Sequence, residues 1–200
     1  NLKKNDRPTI VNMSWGYFGT YTNIVGGQWR GATWTGTSTE AQYGMVQRNL
    51  NGGLYTHPIR VTSVDSDIED CIEAGMILVS AAGNAAHKMD LSTGLDYNNF
   101  WTSSTLGNRY YHRGGTPQAS SNVICTGAID YEYTLGQEKS ADFSEKGPRV
   151  DIFAPGYAIQ AAIPSGSSLD ANSTTHPDNA SYKIRKLQGT SMASPQVCGI

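Results

Sequence analysis

Apolar and β-branched residues gather into a few short runs, separated by much longer polar stretches. Thr9-Ile10-Val11-Asn12-Met13, following Pro8, reads as a buried strand. From Ser63 to Gly75 the pattern changes period: Val64, Ile68, Cys71 and Ile72 recur at the spacing of one helical face. Acidic residues occupy the early turns of this predicted helix, and Gly75 supplies a left-handed stop. Met76-Ile77-Leu78-Val79-Ser80-Ala81-Ala82 follows at once, and its nearly unbroken apolarity predicts a strand covered on both faces of a parallel sheet. Strand, helix and strand in this order form a right-handed crossover. Ligands of such sheets bind beyond the carboxyl ends of the strands, where Ser14 to Gly16 and Ala82 to Asn84 both emerge. Asn122 to Ile129 predicts a further buried strand, and Asp142-Phe143-Ser144 with Val150 to Ala154 predicts one or two more.

Two long segments interrupt this α/β pattern. Tyr17 to Val61 is rich in Gly, Thr, Trp, Tyr and Asn, with turn signals at Gly26-Gly27 and Asn51-Gly52-Gly53 and a short helical pattern over Thr39 to Leu50. Its aromatics suit either a small satellite core or a substrate-contacting rim. Ala85 to Ser121 is polar, aromatic and Gly-rich and reads as a second insertion. Ser165 to Ser181 reads as an exposed loop, and its Asn172-Ser173-Thr174 and Asn179-Ala180-Ser181 triplets as loop composition.

Composition narrows the class of protein. Two hundred residues with 38% hydrophobic content suffice for one α/β domain with a real core. A net charge of −2 without a basic run suggests neither nucleic acid nor an anionic membrane as partner, and no apolar stretch approaches the length of a membrane span. Cys71, Cys125 and Cys198 lie far apart in apolar segments and read as buried free thiols. His57, His87, His112 and His176 sit in polar surroundings without metal-ligand spacing, so they read as surface histidines and no metal site is expected. Localisation is not legible.

The chemistry concentrates in Gly189-Thr190-Ser191-Met192-Ala193-Ser194-Pro195. A glycine-relieved turn exposes a serine at the start of a helix whose free N–H groups face a developing oxyanion, with Pro195 expected in the first helical turn. An isolated Gly-Thr-Ser would read as an ordinary helix cap. The whole run, however, resembles the nucleophile segment of the subtilisin-like serine proteases. Asn12-Met13-Ser14-Trp15-Gly16, Ala81-Ala82-Gly83-Asn84 and Asp151-Ile152-Phe153-Ala154-Pro155-Gly156 resemble three further segments of that family, in the same order.

The resemblance implies a three-layer α/β fold, with a mostly parallel sheet flanked by helices and long insertions at about 17–61 and 85–121. It implies Ser191 as nucleophile, with its own N–H and the Asn84 amide as oxyanion hole. Ser14, Trp15 and Gly16 would form one wall of the substrate pocket, and Ala81, Ala82 and Gly83 the other. The substrate would be a peptide or protein; no cofactor is needed, and structural calcium is compatible with the family. The family's catalytic His and Asp lie in H-G-T-H and D-[TS]-G segments ahead of the first strand. Neither segment is present, so both residues are expected upstream and the chain reads as the C-terminal part of one catalytic domain. The alternative is an inactive relative that binds peptides or partners in the same cleft. Gln196, where the family commonly has His, would alter helix packing or a hydrogen bond.

Overall fold

The computed structural model describes residues 7–21, 23–36, 43, 55–131, 137–164, 166 and 168–200. Its centre is a four-stranded parallel sheet in the order β1 (Thr9–Met13), β6 (Met76–Ala81), β9 (Ile124–Ile129), β10 (Ile152–Pro155). Helix α1 (Thr62–Glu73) covers one face, burying Ile68 against Met13, Leu78 and Val123, with Val64, Cys71 and Ile72 around them. Gly75 has φ 74°, the conformation anticipated for the helix stop. Helix α2 (Thr190–Cys198) covers the other face, where Ala193 packs against Ala128, Ala141, Phe143 and Ala154. The small side chains let α2 lie close to the sheet. Helix, sheet and helix make the three layers.

Coverage is incomplete at the amino ends of the strands. Ile10 and Ile77, paired neighbours in β1 and β6, stay exposed, whereas Val79 and Ala81 further along are buried. The both-face burial expected of the Met76 run thus holds only toward the carboxyl end, because the nine-residue α2 reaches no further. Asp142 to Ser144, predicted as strand, is a turn: Phe143 enters the core while Ser144 Oγ accepts the Ala128 N–H at 2.9 Å, so the segment caps β9 without extending the sheet.

The two long segments between the central strands carry strands of their own. In the first, β2 (Phe18–Tyr21) pairs antiparallel with β5 (Tyr55–Pro58), and β3 (Ile24–Trp29) forms a hairpin with β4 (Ala32–Thr35). Arg30 and Gly31, both at positive φ, make the hairpin's tight turn. In the second, β7 (Phe100–Ser103) and β8 (Gly107–Tyr110) form another hairpin, and β7 pairs with β3. The segments therefore share one sheet, β4-β3-β7-β8, over a second core of Ile24, Trp101 and Tyr111 packed by Trp34 and Tyr43. Trp34 and Trp101 occupy the satellite core; the Thr39 to Leu50 helix falls outside the described residues apart from Tyr43. Asp96, 3% exposed, ties the two segments electrostatically: its carboxylate meets Arg30 at 2.6 Å and Lys88 at 2.6 Å, and these cations hold it well below the usual carboxylate range.

The region read as an exposed loop, Ser165 to Ser181, is instead largely ordered. β11 (Ile159–Ile163), β12 (Thr174–His176) and β13 (Asn179–Leu187) form a three-stranded antiparallel sheet with β13 in the middle. Polar side chains face solvent while the ladder satisfies the backbone, so composition alone could not reveal the pairing. β13 delivers the chain to Gln188 and the start of α2.

Candidate active site

The nucleophile segment is set by backbone before side chains act. Gly189, with φ 150° and ψ 157°, caps α2, and its N–H donates to Gly156 O at 2.8 Å, pinning the helix start to the end of β10. Pro195 sits in the middle of α2, not in its first turn as expected. A proline there withholds the N–H that would bond the carbonyl four residues back, that of Ser191. The Ser14 hydroxyl compensates, donating to Ser191 O at 2.8 Å, while Ser191 Oγ donates to Ser14 O at 3.2 Å. Asn12 and Ser194 extend this link: Ser194 Oγ donates to Asn12 Oδ1 at 2.7 Å, and Asn12 Nδ2 to Ser14 Oγ at 2.9 Å. The Asn-Met-Ser strand end and the serine helix are thereby one polar unit.

Asn84 is oriented just as firmly. Its Oδ1 accepts the Thr190 N–H at 2.9 Å and the Thr190 hydroxyl at 3.0 Å. A backbone N–H can only donate, so the facing atom is the oxygen and the NH₂ points elsewhere. The same Thr190 Oγ1 accepts the Gly83 N–H at 3.1 Å, which joins the second wall to the helix start. Thr190 is fully buried and was not singled out from the sequence, where a threonine inside a motif reads as filler.

Beyond these strand ends opens a cavity of about 480 Å³. All eight predicted site residues line it: Ser14, Trp15, Gly16, Ala81, Ala82, Gly83, Asn84 and Ser191. Trp15 is 45% exposed and meets Tyr17 edge-on at 5.8 Å, so it belongs to the rim and not to the core. The first insertion adds Tyr17, Phe18, Thr56, His57 and Pro58 to the lining.

Two further polar lining residues, Gln118 and Glu145, carry no sequence motif. Gln118 Nε2 donates to Ala81 O at 2.9 Å and Trp15 O at 3.2 Å, one carbonyl from each wall. Glu145 is 8% exposed, and burial pushes its carboxyl up to about 8. Neither lies in a motif, so no local signal could have marked them.

The histidines correct the surface reading. His57, His87 and His112 are buried among the insertions' aromatics, since the satellite core packs rings around them; His176 is half-buried. His57 and His87 line the cavity, yet His57 Nδ1 bonds Gly19 O at 3.1 Å, and His87 Nε2 meets Thr56 Oγ1 at 3.2 Å. Burial lowers His57 to about 4. Among the described residues the Ser191 hydroxyl bonds to Ser14 O alone. Cys125 is buried and free; Cys71 and Cys198 are free and half-buried. Gln196 Nε2 donates to Met192 O at 3.1 Å and to Pro155 O, joining α2 to β10.

An α/β sheet thus brings a serine at a helix start, an oriented amide and two strand-end walls to one cavity. The profile of the Subtilase family matches residues 2–200, and the chain belongs to that family. It is similar to subtilisin-like proteinase Mp1 of Magnaporthiopsis poae, 30% identical over 78% of this chain and 27% of that protein. Subtilisin DY of Bacillus licheniformis is 26% identical over 90% of this chain and 47% of that protein. The chain thus spans about a quarter to a half of these relatives' length. Among solved structures, fervidolysin of Fervidobacterium pennivorans, a keratinolytic enzyme related to subtilisin, aligns with a TM-score of 0.48 at 22% identity, over 72% of this chain and 18% of that one.

Proposed function

We propose that this chain is the part of a serine endopeptidase that carries the nucleophile and the oxyanion hole. Ser191 Oγ attacks the scissile carbonyl, and the developing oxyanion is held by the Ser191 N–H and Asn84 Nδ2. The peptide lies extended between Ser14–Gly16 and Ala81–Gly83, pairing with them as an added strand. The general base and the carboxylate that orients it come from protein outside this sequence, because Ser191 meets no histidine among the described residues. No cofactor takes part in the reaction so described.

The observation that carries this reading is the double hydrogen bond from Thr190 to Asn84 Oδ1. It holds the amide before substrate arrives, with its NH₂ unengaged by any described residue in a cavity shared with Ser191, so no reorganisation is needed as charge develops. The test is labelling of the full-length protein with a fluorophosphonate, alongside peptide hydrolysis. Labelling and turnover that vanish in Ser191→Ala are expected. Peptide binding without labelling or turnover would instead identify an inactive relative that uses the cleft to bind.

A further inference from the structure

Glu145 is the one acidic residue among those lining the cavity, and no lysine or arginine lines it. Its main-chain N–H donates to Gly83 O at 3.0 Å, and its side chain lies against the Gly83 α-carbon: a Cβ built on Gly83 would fall 2.8 Å from Glu145 Cδ and Oε1. Glu145, 8% exposed, thus lies beside Gly83, the residue before Asn84; its carboxyl makes no hydrogen bond or ion pair among the described residues and is not among their fully enclosed unpartnered groups, so it opens onto the cavity it lines. A buried carboxylate without a partner is costly, and proteins pair such groups or neutralise them.

Gln118 adds to this. Its amide NH₂ donates to the wall carbonyls of Trp15 and Ala81, which leaves Oε1, an acceptor only, as its remaining polar atom. Gly16 must lack a side chain for this brace to fit, since a Cβ there would fall 2.3 Å from Gln118 Nε2. The cavity is therefore lined by Gln118, whose amide oxygen can only accept, and by the Glu145 carboxyl, with no lysine or arginine. Its polar complement is a cationic donor.

We propose that Glu145 makes this cleft selective for a lysine or arginine side chain at the residue preceding the scissile bond, with Gln118 bracing the slot. The inference rests on the endopeptidase reading for its register, since the side chain before the scissile bond is the one that enters between the walls beside Asn84. An entering ammonium or guanidinium holds Glu145 in its ionised form, the carboxyl proton passing to solvent, whereas an uncharged side chain of equal length leaves the carboxyl protonated.

The test compares, in the full-length protein, two peptides that differ only in lysine against norleucine at that position. The kcat/KM ratio is expected to favour lysine by about 30-fold or more, in line with the loss when one member of a buried charge pair is removed. Glu145→Gln should bring the ratio close to one, and Glu145→Asp should restore part of it. The dissociation constants of the same two peptides, measured on Ser191→Ala, give a second reading that needs no catalysis. A wild-type preference for norleucine, or a ratio unchanged in Glu145→Gln, would overturn the assignment. Absence of cleavage with any peptide would overturn the endopeptidase reading, while the binding comparison would still decide for or against Glu145.

Discussion

Glu145 offers a measurement of its own in the stability of the protein. Its ordinary value of 4.5 applies to the unfolded chain, and burial raises the folded value to about 8. Below pH 4.5 both states hold the proton, and ionisation costs folding nothing. Between 4.5 and 8 the unfolded state sheds the proton and the folded state keeps it, so stability falls as pH rises; above 8 both are ionised and the loss levels off. At about 1.36 kcal/mol per pH unit this interval amounts to about 5 kcal/mol. Cys125, whose thiol burial pushes up to about 12, is the titratable neighbour coupled to Glu145, and it stays uncharged throughout the range. The perturbation is Glu145→Gln, which keeps size and polarity and removes the titration. Urea unfolding at several pH values from 4 to 9, in a Ser191→Ala background to prevent self-digestion, should show the variant gaining on the wild type as pH rises. A difference constant within about 1 kcal/mol across that range would refute the argument, since it would mean that the carboxyl is solvated or partnered in the whole protein.

Asn84→Ala should lower kcat by about 10²–10³ with little change in KM, the magnitude known for the corresponding amide of subtilisin; near-normal kcat would remove Asn84 from the hole. Thr190→Val deletes the hydroxyl that bonds both Asn84 Oδ1 and the Gly83 N–H, and should lower kcat about tenfold while KM holds, with Thr190→Ser restoring it; loss of fold without rescue by serine would make Thr190 merely structural. Asp96→Asn removes the buried carboxylate that Arg30 meets and one of the two that Lys88 meets, Asp90 remaining, and should cost about 2–3 kcal/mol near neutral pH in urea unfolding, discounted because both cations are partly exposed. The cost should shrink as pH falls toward the lowered titration of Asp96, since a depressed folded value stabilises only above it.

Much of the central layer was legible because its signals are local. The apolar runs that became β1 and β6, the helical spacing of α1 and its Gly75 stop are read within one element's length. The positions of Ser191 and Asn84 beside one cavity were legible too, because the backbone they need is encoded by adjacent glycines and small residues. What stayed hidden depends on pairing across the chain. The β3–β7 contact joins two polar, Gly-rich segments about 75 residues apart, and only that contact turns Trp101 and the buried histidines into a core. β12 and β13 look like a loop because a solvated sheet gains its order from backbone bonds that leave no mark on hydropathy. Pro195 was misplaced for a related reason: the Ser191 carbonyl it leaves free in mid-helix is satisfied by the hydroxyl of Ser14, 177 residues before Ser191. The sequence by itself determined the central strands β1, β6 and β9 and the helix α1, since each is written in neighbouring residues. The tertiary structure decided which polar groups face one another across the cleft. That is how Gln118 and Glu145 came to line it, for a buried carboxyl takes its chemistry from partners that no stretch of sequence contains.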